Sequence, residues 1–192
     1  KTLIAFNDDL VSPGRGFPTH SHENAEIITI VLEGSLKHED SLGNKGIINK
    51  GEIQRISAGS GIYHSEYNNS KRDKVHFLQI WLQPKTINTK PSYQQFIPLI
   101  RINRLNKIIS NNQEDDVLQI NQDSDFFLGK VSKRETINHT LKKNKDLYLF
   151  IIKGSISINQ TTLSQGDSAE ITSTRMISIN GIKESSILLI EL

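Results

Sequence analysis

The sequence predicts an all-β fold built from two similar domains. Short apolar segments rich in Ile and Val recur roughly every ten residues and end at Gly, Asn, Asp or Ser, a pattern typical of β-sandwiches and β-barrels. A strand, Gly turn and strand at residues 31–35 are repeated at residues 151–155, which indicates a duplicated unit. Five of the six histidines precede residue 77, so the two copies differ in chemistry.

Length and composition exclude several classes of protein. The chain has 192 residues, enough for two modest domains, and a formal net charge of +2, which argues against a dedicated nucleic-acid-binding role. Cysteine is absent, which excludes a disulfide scaffold, a thiolate zinc site, an iron–sulfur cluster and a cysteine nucleophile. No apolar run reaches the ~18 residues of a membrane span and no signal peptide is visible, so we expect a cytoplasmic protein with no membrane partner.

Most of the elements that the sequence predicts are strands. The clearest strands are the apolar runs at residues 26–32, 75–82, 147–152 and 187–190. Residues 40–46 predict a hairpin connection, because Gly and Asn adopt positive φ at little cost. Apolar residues recur at loosely helical spacing over residues 93–112, but Pro98 interrupts them, so we expect short helical turns there. The expected division is a first domain at residues 1–93, a connector at 94–120 and a second domain at 121–192.

Two pairs of polar residues carry the chemistry of the first domain. His20 and His22 lie two residues apart, so both imidazoles leave the same face of a strand, and His64 and Glu66 repeat that geometry. An isolated pair of this kind is more often a solvent-facing strand pair. Two pairs on neighbouring strands, however, would direct four ligand atoms at one point. Three neutral imidazoles and a carboxylate suit a divalent first-row metal, and an octahedral ion held in this way keeps two positions for water, substrate or O2.

The spacing of these residues resembles the two motifs of the cupins. The first-motif residues are Gly14, His20, His22, Glu26 and Gly34, and the second-motif residues are Gly51, Gly61, His64 and Asn68. Within the cupins the sequence resembles the pirin family, and in particular its bacterial pirin-like quercetin 2,3-dioxygenases. The segments that carry this resemblance are residues 17–22, 31–34, 38–44, 54, 57–68, 76, 78–81 and 91–93.

The resemblance implies a bicupin, two β-barrel domains of the double-stranded β-helix type joined by a short, partly helical connector. It implies one divalent transition metal per chain, held by His20, His22, His64 and Glu66. The metal expected is Fe(II), with Ni, Mn, Co, Cu or Zn as alternatives. Many cupins take their carboxylate from the first motif, but the pirin family takes it from the second, so we expect Glu26 to be a structural residue. Compared with full-length members of the family, we expect this sequence to lack the usual N-terminal strands, which would leave an exposed strand edge or altered packing.

The resemblance further implies a dioxygenase that opens the central ring of flavonols such as quercetin with O2 and releases carbon monoxide. Glu66 is then the catalytic acceptor of the proton from the substrate's 3-hydroxyl. Phe17, Ile62 and Tyr63 are candidate pocket residues, with core packing as the alternative for each. Two other functions stay open: an iron-dependent, redox-sensing regulatory binding protein whose partner is unspecified, and an enzyme acting on another enol or a catechol.

The remaining histidines are expected to be structural. His38 is adjacent to the predicted hairpin connection, so we expect it to face solvent, whereas His76 lies in an apolar strand as a hydrogen-bonded core residue. Residues 121–192 contain one histidine and no ligand set. We therefore expect no metal in the second domain and assign that domain to structural support or closure of the pocket.

Overall fold

The structure, a computed structural model, describes residues 2–192, and every regular element among them is a β-strand. The predicted all-β fold is therefore confirmed. The chain divides into two compact units: residues up to Pro98 with Ile120–Gln122, and Leu99–Gln119 with Asp123–Leu192. The described part of the chain contains no helix with the length and apolar character of a membrane span.

The first unit consists of two antiparallel sheets. Its strands, over the residues described, are β1 Leu3–Val11, β2 Gly16–His22, β3 Glu26–Glu33, β4 Ser35–Asp40, β5 Lys45–Asn49, β6 Ile53–Ser57, β7 Ile62–Asn68, β8 Val75–Leu82 and β9 Ser92–Phe96. One sheet has the strand order β1-β8-β3-β6-β9 and the other has the order β2-β7-β4-β5. The predicted apolar runs at residues 26–32 and 75–82 form β3 and β8, which pair with each other.

The second unit also consists of two sheets. Its strands are β10 Arg104–Ser110, β11 Leu118–Gln119, β12 Asp125–Val131, β13 Thr136–Thr140, β14 Leu147–Lys153, β15 Ser155–Ile158, β16 Thr161–Ser164, β17 Ser168–Ile171, β18 Met176–Gly181 and β19 Ser185–Glu191. The sheets have the orders β11-β10-β12-β19-β14-β17 and β13-β18-β15-β16. The duplicated turn lies between corresponding strands, because Gly34 follows β3 with φ +75° and Gly154 follows β14 with φ +87°.

The predicted helical turns of the connector are wrong. Residues 94–120 hold β10 and β11, and β10 pairs antiparallel with β12, with Leu105 opposite Gly129. Of the apolar residues at loosely helical spacing, Phe96 ends β9 and Leu105 lies in β10. Within β10 the register slips between Lys107 and Ile109, which breaks the period of two expected of a strand. The pair Ile108 and Ile109 is buried, and β-branched residues favour a strand in that setting.

The cores of the two units differ in continuity. In the first unit, Ile27 belongs to one buried apolar cluster and Val31 to another, while the buried Thr29 lies between them on β3. In the second unit, Leu147, Leu149 and Ile151 occupy successive inward positions of β14 and belong to a single cluster. A polar layer therefore interrupts the apolar core of the first unit.

Candidate metal centre

Strand pairing brings the predicted histidines together. On β2 and β7, His20 lies opposite His64, and His22 lies opposite Ile62, so these side chains share one face of the sheet. A register shift between Phe17 and His20 places Phe17 opposite Glu66 on the same ladder. Because of this bulge, Phe17 and His20, three residues apart on β2, lie opposite Glu66 and His64, which are two residues apart on β7.

The three imidazoles of His20, His22 and His64 converge. One ligand atom from each lies within 4.8 Å of the others. The ring centroids are 4.7 Å apart for His20 and His22, 4.5 Å for His20 and His64, and 5.0 Å for His22 and His64. Trp81 contacts His22 edge-on at 4.7 Å, which limits the freedom of that ring. Such spacing is suited to three ligands of one ion.

The electrostatics keep the rings of His22 and His64 neutral. Burial, followed by the proximity of His20 and His22, lowers the pKa of His64 from 6.5 to about 3. Burial and then His20 lower the pKa of His22 to about 4. The Nδ1 of His20 lies 2.8 Å from the Pro18 carbonyl oxygen, which can only accept, so Nδ1 donates and Nε2 keeps its lone pair. Neutral imidazoles with free lone pairs are the form that binds metal.

The surroundings of the His64 ring are the clearest indication of a ligand site. Its side chain is 1% exposed, and neither Nδ1 nor Nε2 has a hydrogen-bond partner among the residues described. A buried polar group left without a partner costs about 1–3 kcal/mol. A bound cation would remove part of that cost, so the residues present fit a metal.

Glu66 lies deeper in the polar layer. Gln54 Nε2 donates to its Oε1, and Gln79 Nε2 donates to its Oε2 at 2.8 Å. Gln54 also donates to the hydroxyl of Thr29, and Trp81 Nε1 donates to Gln79 Oε1, so both amides are held in place. Burial raises the pKa of Glu66, while the hydrogen bonds from Gln79 and Gln54 oppose that rise. The two amides therefore fix the orientation of the carboxyl group, and its burial makes it a stronger base.

The structure places Glu66 with His64 and His38 in a second group whose ligand atoms lie within 4.8 Å of one another, and not in the group that holds His20 and His22. The sequence analysis missed His38, and its expected exposure is wrong, since the residue is 0% exposed. On β4, His38 lies opposite Glu66 and points into the same layer. In the sequence, His38 comes two residues after the apolar Leu36, and this spacing was the signal that both share one face of a strand. In the structure both side chains are buried.

The candidate pocket residues occupy different faces. Ile62 is buried in the apolar cluster next to His22, on the same face of β7 as His64. Phe17 is partly exposed and lies opposite Glu66 on the neighbouring strand. Tyr63 projects from the opposite face of β7 and is 60% exposed, so it does not contact the histidine cluster through its side chain.

Two further polar residues have structural partners. Glu26 is buried, and its Oε2 accepts from the Ser57 hydroxyl at 2.8 Å and from the Asn121 backbone N–H at 3.3 Å, in agreement with the expected structural role. Burial raises the pKa of Glu26 despite these bonds. His76 hydrogen-bonds to Asp8, as expected, but its side chain is 27% exposed, so it lies at the edge of the core.

Comparisons with known proteins agree with this architecture. The Pirin family model matches residues 2–82, and the model of the quercetinase C-terminal cupin domain matches residues 107–192. The chain is 36% identical to the quercetin 2,3-dioxygenase of Escherichia coli K12, over 99% of this chain and 82% of that protein. It is 34% identical to a pirin-like protein of Caulobacter vibrioides, over 98% of this chain and 82% of the relative.

A solved structure shows the same fold. The crystal structure of a bacterial pirin from Escherichia coli in complex with nickel(II) superimposes with a TM-score of 0.95 at 35% identity, covering 100% of this chain and 82% of that one. The two-domain pirin and cupin fold predicted from the sequence motifs is therefore confirmed.

Proposed function

The chain belongs to the pirin family of cupins, and on that premise we propose that it is a metal-dependent dioxygenase acting on flavonols of the quercetin type. The reaction would open the central ring with O2 and release carbon monoxide. The observation that carries the proposal is the convergence of three imidazoles on β2 and β7 beside a buried carboxyl group. The name of the Escherichia coli relative supports the substrate class.

The proposed metal ligands are His20, His22, His64 and Glu66. Imidazole and carboxylate ligands suit first-row divalent ions, and we propose Fe(II), with Ni, Mn, Co, Cu and Zn as alternatives. Nickel(II) is the ion in the related bacterial pirin. A divalent cation bound here would supply Lewis-acid chemistry, lowering the pKa of a coordinated hydroxyl group.

Glu66 is the proposed acceptor of the proton from the flavonol 3-hydroxyl. Burial raises the pKa of Glu66, which favours the protonated product of that transfer. Gln54 and Gln79 each occupy one lone pair of a carboxylate oxygen, so each oxygen keeps a second lone pair for a proton or a ligand bond. The two amides thus orient the base while leaving it competent.

Apolar groups beside the imidazoles would bind the aromatic rings of the substrate. Phe17 is partly exposed and lies opposite Glu66 on β7, and Ile62 lies opposite His22 on the sheet face that carries His64. We propose these two residues as pocket walls, because flat aromatic ligands gain most from contact with apolar and aromatic surface. Tyr63 faces away and is left out of the proposed pocket.

The test is an aerobic assay of quercetin absorbance and carbon monoxide release with protein loaded with Fe(II) or Ni(II). We expect turnover that stops when a chelator removes the metal and falls at least 100-fold in His64→Ala. His139→Ala is the matched control, because His139 is a partly buried histidine of the second unit that hydrogen-bonds to Glu191, and it should keep the wild-type rate. Metal binding without quercetin loss would contradict the dioxygenase and favour the regulatory alternative, and turnover of another enol or catechol would favour the third function.

A further inference from the structure

Four residues form a polar row across one sheet of the second unit. Arg104 on β10 lies opposite Lys130 on β12, and Ser186 on β19 lies opposite both Lys130 and Lys153, the latter on β14. Residues directly opposite each other on neighbouring strands point to the same face of a sheet. Three basic side chains therefore share one face, with a serine hydroxyl between two of them. We refer to Arg104, Lys130, Ser186 and Lys153 as the basic row.

The basic row lies on the outer face of its sheet. Successive side chains of a strand alternate between the two faces, so the neighbouring residues Leu105 and Ile187 point the other way. Both of these residues pack in the apolar cluster inside the second unit. In agreement with an outward orientation, Arg104, Lys130 and Lys153 are exposed.

The positive charges of the basic row are not neutralised by carboxylates. Over residues 2–192, the ion pairs of lysines are those of Lys37, Lys45, Lys107, Lys142 and Lys145, and none involves the basic row. Arg104 and Lys130 lie directly opposite each other, and like charges in that arrangement destabilise a sheet. An anion bound at the basic row would offset this repulsion.

Two adjoining cavities lie along the basic row. One has a volume of about 230 Å³, and its lining includes Lys130, Ser186 and Lys153. The other has a volume of about 510 Å³, and its lining includes Lys183. Lys153 and Glu184 line both cavities, so the two form one continuous concave surface. Three lysines thus surround a space large enough for a small molecule.

The lining of the two cavities is positively charged overall. Among the residues described, Glu184 is the only acidic residue that lines them, and its Oε1 accepts the backbone N–H of Lys133 at 3.0 Å. Ammonium groups and hydroxyl groups donate to phosphate and sulfate oxygens, and such charge-assisted hydrogen bonds are about twice as strong as neutral ones. The donors present therefore suit a small oxyanion.

The first unit shows that the fold does not require the basic row. The turn glycines that follow β3 and β14 align Glu33 with Lys153. Glu33 lies opposite His76, and His76 lies opposite Leu10, where the second unit has a serine and a lysine. The same strand pairing thus accepts an acid, a histidine and a leucine at these positions.

We propose that the basic row and the two cavities bind a small oxyanion of the phosphate or sulfate class, either free or as the monoester of a small organic molecule. Lys130 and Lys153 lie one strand to either side of Ser186, and their flexible four-carbon stems reach an anion held above the serine. Ile102 is 65% exposed in the lining of the smaller cavity and offers apolar contact to the organic part of an ester. This inference does not involve the metal centre and is independent of the proposed dioxygenase.

The test is an NMR titration of the full chain, labelled with ¹⁵N, at constant ionic strength with two probes, inorganic phosphate and phenyl phosphate. The backbone amide of Ser186 should shift in a saturable way, which separates this site from any binding of phosphate elsewhere. In Lys130→Gln/Lys153→Gln the affinity should fall at least tenfold, because two charge-assisted hydrogen bonds are lost. Lys71→Gln/Lys74→Gln is the matched control, since it removes two exposed lysines of the first unit, and its affinity should stay within twofold of wild type.

The two probes also identify the source of the oxyanion. A weaker affinity for phenyl phosphate in Ile102→Ser, with the affinity for inorganic phosphate unchanged, would support an ester, whereas equal affinities of wild type for the two probes would support the free ion. Urea unfolding checks that each variant is folded. The absence of a saturable shift at Ser186, or a Lys130→Gln/Lys153→Gln variant that binds both probes as the control does, would overturn the site whatever the result of the quercetin assay.

Discussion

The two units place different residues at the same points of the same strand pairing. On β3 and β8, Thr29 lies opposite Gln79, whereas on β14 and β19, Leu149 lies opposite Leu189. The first pair contributes to the hydrogen bonds around the buried carboxyl group, and the second pair fills a continuous apolar core. The fold therefore accepts either a polar or an apolar layer at this level.

The contrast is sharper at the positions of the proposed metal ligands. His20 lies opposite His64 on β2 and β7, while His139 lies opposite Ile177 on β13 and β18. His139 is the one histidine of its unit, and its Nε2 is 2.6 Å from Glu191 Oε1, so it already has a partner. Without metal, the unpaired buried nitrogens of the first unit lower its stability. The second unit has the same strand pairing without such unpaired imidazole nitrogens.

The largest effect should come from giving the first unit the second unit's residue with His64→Ile. Nickel(II) at about 1,000 times its Kd should stabilise the wild type by ~4 kcal/mol and should not stabilise the variant. Without metal, the variant should be more stable than wild type by about 1–3 kcal/mol, because two unpaired buried nitrogens are removed. Urea unfolding with and without nickel measures both differences, and nickel stabilisation of His64→Ile would refute the proposed role of this residue as a metal ligand.

The reverse exchange, Leu189→Gln, should damage the second unit. Leu189 is 0% exposed in an apolar cluster, so the amide would lack the carboxyl group that Gln79 binds in the first unit. We expect a loss of ~3 kcal/mol in the free energy of unfolding, against less than about 1.5 kcal/mol for the control Leu189→Met. Equal losses in the two variants would mean that the second unit tolerates a polar layer after all.

The pH dependence of stability should also differ between wild type and His64→Ile without metal. The pKa of His64 falls from 6.5 to about 3 on folding, so the unfolded chain binds more protons between these values. Lowering the pH from 7 to 5 should therefore destabilise wild type relative to the variant, by about 2 kcal/mol. Denaturation midpoints at both pH values test the sign, and a constant difference would show that His64 titrates normally.

A smaller effect is expected for Gln79→Leu, which removes the donor to Glu66 Oε2. Loss of such a supporting contact typically lowers metal affinity about tenfold, because the ligand is no longer held in orientation. Calorimetric titration with Ni(II) provides the measurement, with the exposed Gln83→Leu as the matched control. An affinity equal to that of the control would remove Gln79 from the metal centre.

The smallest effect should follow Tyr63→Ala, because this side chain projects away from the histidine cluster. We expect a quercetin rate within twofold of wild type and an unfolding free energy within about 0.5 kcal/mol. A tenfold loss of rate would return Tyr63 to the pocket.

The sequence predicted which side chains of β2 and β7 share a face, because the period of two in a strand is a local property. It did not predict the pairing of β4 with β7, which depends on tertiary contacts, and so it missed His38 beside Glu66. The same alternation shows why Tyr63 and His64, as neighbours, cannot both point into one layer.

Other parts of the fold depended on long-range pairing. Residues 104–110 become a strand because β12 lies beside them, and the bulge at Lys107 hides the period that would have indicated this. Glu26 was correctly expected to be structural, although its partners Ser57 and Asn121 are distant in sequence. The cupin motifs thus predicted the family and its two-domain fold, while register and bulges determined which residues meet.

Metal content is the most direct test of the account. Wild type, His64→Ile and His139→Ile are loaded with nickel(II), passed through gel filtration and analysed for retained metal. The account predicts equal retention in wild type and His139→Ile and none in His64→Ile. Retention in His64→Ile, or loss in His139→Ile, would contradict the assignment of the metal centre to the polar layer of the first unit.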